Sequence, residues 1–291
     1  MSWERLIRFR DAAGTVRFGE PIIGNDDVSL LDESVAKGSL QARCLEGSDI
    51  FSLAPTSETV TVSELLAPLS PSDVPIIKCV GLNYMKHIQE GGRTPPPYPS
   101  IFIKPRGAVA SYNEDIPIPT LAQTDQLDYE GELCIVIGKT GKDIPASEAL
   151  NYVAGFVAAN DVSARKWQRD PKFAGGVPQW CFSKGFDKFA PLSPMIVSPR
   201  VVGNAASLRL QTLVNGEVRQ DTNTSDLLFK TEALVAFISQ GTTLEAGTVI
   251  MTGTPAGVAM GMKEPLWLKD GDVVEVKIEK LGSVKNRMVF L

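Results

Sequence analysis

The stretch Asp128-Tyr129-Glu130-Gly131-Glu132-Leu133-Cys134-Ile135-Val136-Ile137 sets two glutamates at the mouth of an unbroken apolar run. The run 133–137 reads as a strand entering a core, being short, uncharged and partly β-branched. On a strand, Glu130 and Glu132 point to the same face about 6 to 7 Å apart, because the rise is about 3.3 Å per residue. A solvated sheet edge would tolerate two like charges. At the edge of a core they must be protonated, paired or bound to a cation, since burying a bare carboxylate costs several kcal/mol.

Further strands are expected at 6–9, 15–18, 76–80, 100–104, 153–159, 208–214, 249–252, 273–278 and 283–290, with Asn215-Gly216 as a hairpin turn. Helical patterns are fewer, at 146–152, 162–169 and 231–239, the last stopping before Gly241. Strands dominate and do not alternate regularly with helices, so a β-rich α+β roll or sandwich fits better than a doubly wound sheet. Pro68, Pro71 and Pro75 punctuate the exit from a segment of short strands and polar turns such as Gly24-Asn25-Asp26-Asp27. This divides the chain into a small N-terminal lobe, 1–72, and a main domain, 73–291.

With 29 basic and 34 acidic residues the formal charge is −5, and no basic run could neutralise a phosphate backbone, which argues against nucleic acid as a partner. No stretch approaches the roughly 20 apolar residues of a membrane span. The start of the chain lacks an apolar secretory core and carries Glu4 and Asp11, so a cytoplasmic location is expected. Cys44, Cys79, Cys134 and Cys181 are too widely spaced for a metal clip or a dense disulfide framework, and read as reduced, mostly buried thiols.

A third carboxylate, Asp161, follows the apolar 153–159 strand; it reads either as a helix N-cap or as a partner of the two glutamates. Three oxygen ligands without His or Cys favour Mg²⁺ or Mn²⁺, with Ca²⁺ also admissible. His87 is the chain's only histidine, and Glu90 follows three positions later, so in a helical turn the carboxylate can orient the imidazole as an acid–base pair. Lys184 lies in a segment with few helix or strand constraints. It reads as a surface cation or as a group holding substrate charge. Thr252-Gly253-Thr254-Pro255-Ala256-Gly257 is a tight turn or an oxyanion cradle. The loops 91–97 and 170–178 are surface connectors or lids.

Taken in order, Gly81-Leu82-Asn83-Tyr84 with His87 and Glu90, Phe102-Ile103-Lys104-Pro105, Asp128-Tyr129-Glu130-Gly131-Glu132, Asn160-Asp161-Val162-Ser163-Ala164-Arg165, Lys184-Gly185-Phe186-Asp187 and Thr252-Gly253-Thr254-Pro255-Ala256-Gly257 resemble the fumarylacetoacetate hydrolase superfamily over about residues 75 to 291. The resemblance implies a β-roll catalytic domain, usually in a homodimer, and a small 2-oxo acid as substrate. It also implies Mg²⁺ or Mn²⁺ on Glu130, Glu132 and Asp161, with His87, Glu90 and Lys184 as catalytic groups. The implied substrate-binding set is Lys104, Arg165, Gln179, Gly253 and Thr254. Within the superfamily the chain looks closest to the domain-containing proteins linked to oxaloacetate tautomerisation. Acylpyruvase-like members often carry Arg where this chain has Leu82, and a common Asp is replaced by Lys86. Keto–enol conversion or decarboxylation of oxaloacetate is therefore the leading expectation. Hydrolysis of a C–C bond in β-diketo acids is the alternative, and a metal-stabilised structural or regulatory protein is the non-enzyme rival, which has no need of both His87 and Glu90.

Overall fold

The computed structural model describes every residue except 25–27, 29 and 30, so most of the expected turn at Gly24-Asn25-Asp26-Asp27 lies outside the described residues. Its centre is the strand Gly131–Ile137, buried along its whole length and paired antiparallel with Val153–Asn160, which is equally buried. These two strands sit inside a ten-stranded sheet with the spatial order 16–21, 41–46, 54–66, 5–11, 195–197, 153–160, 131–137, 249–251, 77–81, 100–104. Strand 16–21 also pairs with 5–11, so the four N-terminal strands close on themselves. Arg5–Asp11 continues the main sheet through Met195–Val197, and the lobe shares sheet and core with the rest of the chain.

A side-chain period of two explains why the central strand can be apolar throughout. Leu133, Ile135 and Ile137 pack into one core with Leu210, Val276 and Val284 of a second, five-stranded sheet and with Leu234 and Val235 of the helix Thr231–Ile238. Cys134 and Val136 face the opposite core, with Cys79, Phe102, Met251 and the N-terminal Trp3 and Leu6. The expected β-rich α+β architecture is the observed one, and strands 100–104 and 273–278 coincide with expectation.

Three local expectations are corrected. Residues 146–152 form a 3₁₀ helix rather than an α-helix. The 162–169 segment begins as a two-residue strand, and helix occupies only Arg165–Arg169. Lys184 is not in an unconstrained segment but ends the helix Trp180–Lys184. Among the described residues no helix is long and apolar enough to cross a membrane. The cysteines are free, with Cys44, Cys79 and Cys134 buried and Cys181 exposed.

Candidate metal and acid–base site

Glu130 and Glu132 continue the face of the central strand that carries Cys134 and Val136. The antiparallel register sets Gly131 opposite Asn160, so Asp161 arrives across from Glu130, where its backbone N–H donates to the Glu130 carbonyl at 2.8 Å. One ligand oxygen from each of Glu130, Glu132 and Asp161 lies within 4.8 Å of the others, and all three residues are buried. Asp161 is not a helix cap: the helix Arg165–Arg169 is capped by Ala164 without a side-chain bond.

Three cations hold two of these carboxylates, Glu130 and Asp161. Lys184 Nζ donates to Glu130 Oε2 at 2.8 Å, Asp161 Oδ2 at 2.6 Å and Ser163 Oγ at 2.7 Å, so all three of its protons are committed. Lys104 Nζ lies 2.5 Å from Asp161 Oδ1 and also donates to the Phe189 carbonyl. Arg165 bridges Asp128 Oδ2, at 2.8 Å from Nε, and Glu130 Oε1, at 2.5 Å. Asp128 in turn accepts from the backbone N–H groups of Ala259 and Met260, which ties the 259–260 turn to the site.

The two glutamates are driven apart electrostatically. Burial raises the Glu130 carboxyl, but Arg165 and Lys184 outweigh it and hold the group at about 2. Glu132 has no such partner: burial, then the charges of Asp161 and Glu130, push it well above the usual carboxylate range, against Lys184 and the Gly253 N–H, which donates to Glu132 Oε2 at 2.7 Å. Burial also lowers Lys184, but Asp161 and Glu130 more than restore it, leaving it raised and cationic. A buried carboxylate forced toward its protonated form beside two others is the electrostatic signature of an oxygen-lined site suited to a hard divalent cation.

Beside this cluster a small cavity of about 50 Å³ is lined by His87, Glu130, Arg165, Lys184 and Thr254, with Leu82, Phe102 and Trp180 as apolar wall. His87 and Glu90 share the helix Met85–Glu90, with His87 Nδ1 3.5 Å from Glu90 Oε2. Nδ1 is buried without a hydrogen bond, so the pair is poised rather than locked. Thr254 Oγ1 accepts from Gln220 Nε2 at 2.9 Å and donates to the Gly131 carbonyl at 3.2 Å. Gly253, at φ 99°, takes a conformation that favours glycine, and an added Cβ would lie 2.9 Å from the Val80 carbonyl oxygen.

Of the residues expected from sequence, His87, Glu130, Arg165, Lys184 and Thr254 therefore meet at the cavity, while Glu132, Asp161 and Gly253 stand directly behind it. Glu90 stands beside His87 without lining the cavity, and two others do not join them. Lys104 is fully buried against Asp161 and does not line the cavity. Gln179 is exposed, its amide turned back to the Ala174 carbonyl at 3.4 Å. The cavity glutamine is instead Gln168, which accepts from Arg165 and lies three positions after it; that spacing within a helix was the available signal. Asp128, Gln220, Arg169 and Trp180 were not singled out, because their places beside the cavity and the carboxylates depend on how segments distant in sequence pack together.

The model of the fumarylacetoacetate (FAA) hydrolase C-terminal family matches residues 76–289. The mitochondrial oxaloacetate tautomerase Fahd2a of Rattus norvegicus is 39% identical over 271 residues, which cover 93% of this chain and 82% of the relative. Among solved structures, 2-hydroxyhepta-2,4-diene-1,7-dioate isomerase from Mycobacterium marinum is 34% identical with a TM-score of 0.78, covering 99% of each chain. Fumarylpyruvate hydrolase from Pseudomonas aeruginosa, solved with Mn²⁺ and pyruvate, is 31% identical with a TM-score of 0.66, covering 75% of this chain and 91% of that one. The chain belongs to the fumarylacetoacetate hydrolase family of enzymes.

Proposed function

We propose that this chain is a Mg²⁺- or Mn²⁺-dependent enzyme that interconverts the keto and enol forms of a small oxaloacetate-like 2-oxo acid, or decarboxylates it. The observation that supports the reading is that His87, on a short helix, shares one cavity with Glu130, Lys184 and Thr254, directly in front of the buried carboxylate cluster. A divalent cation held by Glu130, Glu132 and Asp161 would polarise the 2-oxo group and stabilise enolate charge; the oxygen-only donor set also admits Ca²⁺.

The side chains account for the rest. His87 is placed to move a proton at the carbon beside the oxo group, and Glu90 is near enough to fix the ring's tautomer. Lys184 has no free proton to donate, so it acts through its charge and by holding Glu130 and Asp161 in place. Thr254 can exchange its long bond to Gly131 for one to the substrate carboxylate. Leu82, Phe102 and Trp180 keep the wall dry, which strengthens each of these interactions.

Similarity to a fumarylpyruvate hydrolase favours a second reading, C–C hydrolysis of β-diketo acids, in which the His87–Glu90 pair would activate water. A panel of oxaloacetate, an acylpyruvate and fumarylacetoacetate, read separately for enol decay, CO₂ release and C–C cleavage, decides between them. Metal-dependent enol decay or CO₂ release, lost in His87→Ala, supports the first reading. Acylpyruvate cleavage with no effect on oxaloacetate overturns it. We propose a homodimer in the cytoplasm, to be checked by analytical ultracentrifugation and by fractionation; the rat relative is named as mitochondrial.

A further inference from the structure

We propose that Arg169 selects substrates carrying a second anionic group, binding the distal carboxylate of a dicarboxylic 2-oxo acid at the mouth of the cavity. The inference rests on the 2-oxo acid reading above and adds the residue that sets the substrate's charge.

Each deeper cation already has its carboxylate: Lys104 has Asp161, Arg165 has Asp128 and Glu130, and Lys184 has Glu130 and Asp161. Arg169 lines the same cavity from its solvent-exposed rim, and among the described residues it has no carboxylate within 4.0 Å. Arg169 also follows Arg165 by four positions in the helix Arg165–Arg169, an arrangement that sets two like charges on one face and is destabilising in itself. Leu82 makes its own part of the wall apolar, which leaves the arginine side as the place for a second negative charge. A monocarboxylate would leave Arg169 to solvent, whereas a dicarboxylate offers it a planar, two-bond partner.

The test uses the full-length, Mg²⁺-loaded protein, the KM for oxaloacetate and the calorimetric Kd for pyruvate. Arg169→Gln should raise the oxaloacetate KM by about 10- to 100-fold, the range for a lost charged hydrogen-bonding pair, while leaving the pyruvate Kd within about twofold. Arg169→Lys should recover part of the loss. Oxaloacetate turnover with an unchanged KM in Arg169→Gln, or equal weakening of both ligands, overturns the inference alone. A wild-type protein that turns over no 2-oxo acid overturns the reading of the site and this inference with it.

Discussion

The Lys104 ammonium lies 2.5 Å from Oδ1 of Asp161, and neither side chain is exposed to solvent. The pair fixes one oxygen of the carboxylate that Lys184 holds by the other. Removing one member of a buried pair leaves an uncompensated charge, so Lys104→Met should destabilise the metal-free protein by about 3 to 5 kcal/mol. Part of that loss should return at saturating Mg²⁺, which offers Asp161 another cation. Urea unfolding with and without Mg²⁺ measures both; a variant as stable as wild type would show that the pair contributes nothing net.

Glu130→Gln, Glu132→Gln and Asp161→Asn should each weaken Mg²⁺ or Mn²⁺ binding by at least about tenfold, since even residues that only support metal ligands contribute 10- to 100-fold. Calorimetric titration is the measurement. Unchanged affinity in Glu130→Gln and Asp161→Asn would defeat the assignment of the carboxylate cluster as the cation site.

The same cluster gives the metal-free protein a characteristic pH dependence. Glu130, held at about 2, adds stability above the ordinary carboxylate value of 4.5 and loses it as pH falls toward 2. Glu132, raised well above 4.5, adds stability below that value and loses it as pH climbs through its raised one. In a chelator the Tm should therefore decline as pH rises above the ordinary carboxylate value of 4.5 and Glu132 ionises against Asp161 and Glu130. Mg²⁺, which requires the ionised form, should raise the Tm more at the alkaline end. Differential scanning calorimetry across that range, repeated on Glu132→Gln, checks the cause: a decline that persists undiminished in the variant would assign it to other groups.

Gly81→Ala should reshape the cavity more than it unfolds the protein. A Cβ at residue 81 would sit 2.0 Å from the Trp180 ring, which lines the cavity, so the indole has to swing away. Overpacking of this kind costs about 1 to 3 kcal/mol. The expected result is a modest fall in Tm, a changed tryptophan emission spectrum and a raised KM; an unchanged spectrum and KM would show that Trp180 does not shape the site.

His87→Ala should keep fold and metal affinity but lose about 10²- to 10⁴-fold in turnover, the usual contribution of a general acid–base group. Circular dichroism and metal titration control for structure. A fully active variant would reduce the His87–Glu90 pair to a structural contact.

Where local pattern carries the information, the sequence was readable. The Asn215-Gly216 turn joins Arg209–Val214 to Glu217–Asn223 with both turn residues at positive φ, 52° and 84°, as a two-residue hairpin of this type requires. The strand Ala54–Leu66 escaped because only two of its thirteen residues are buried, leaving no apolar alternation to read. Lys104 and Gln179 were placed with the substrate because a charged or amide side chain near a motif gives no sign of whether it points forward into a cavity or back into the protein.

What the sequence determined by itself is the geometry inside single elements. Glu130 and Glu132 share a strand face, and His87 and Glu90 share a helical turn, because rise and rotation per residue are fixed by the backbone. What only the tertiary structure decided is the geometry between elements: Asp161 across from Glu130, Lys104 against it, Lys184 among the carboxylates, and Arg169 on the cavity rim with no carboxylate within 4.0 Å among the described residues. Those relations follow from strand register and from the packing of separate segments against a common core, and register is set cooperatively by whole faces rather than by any one residue.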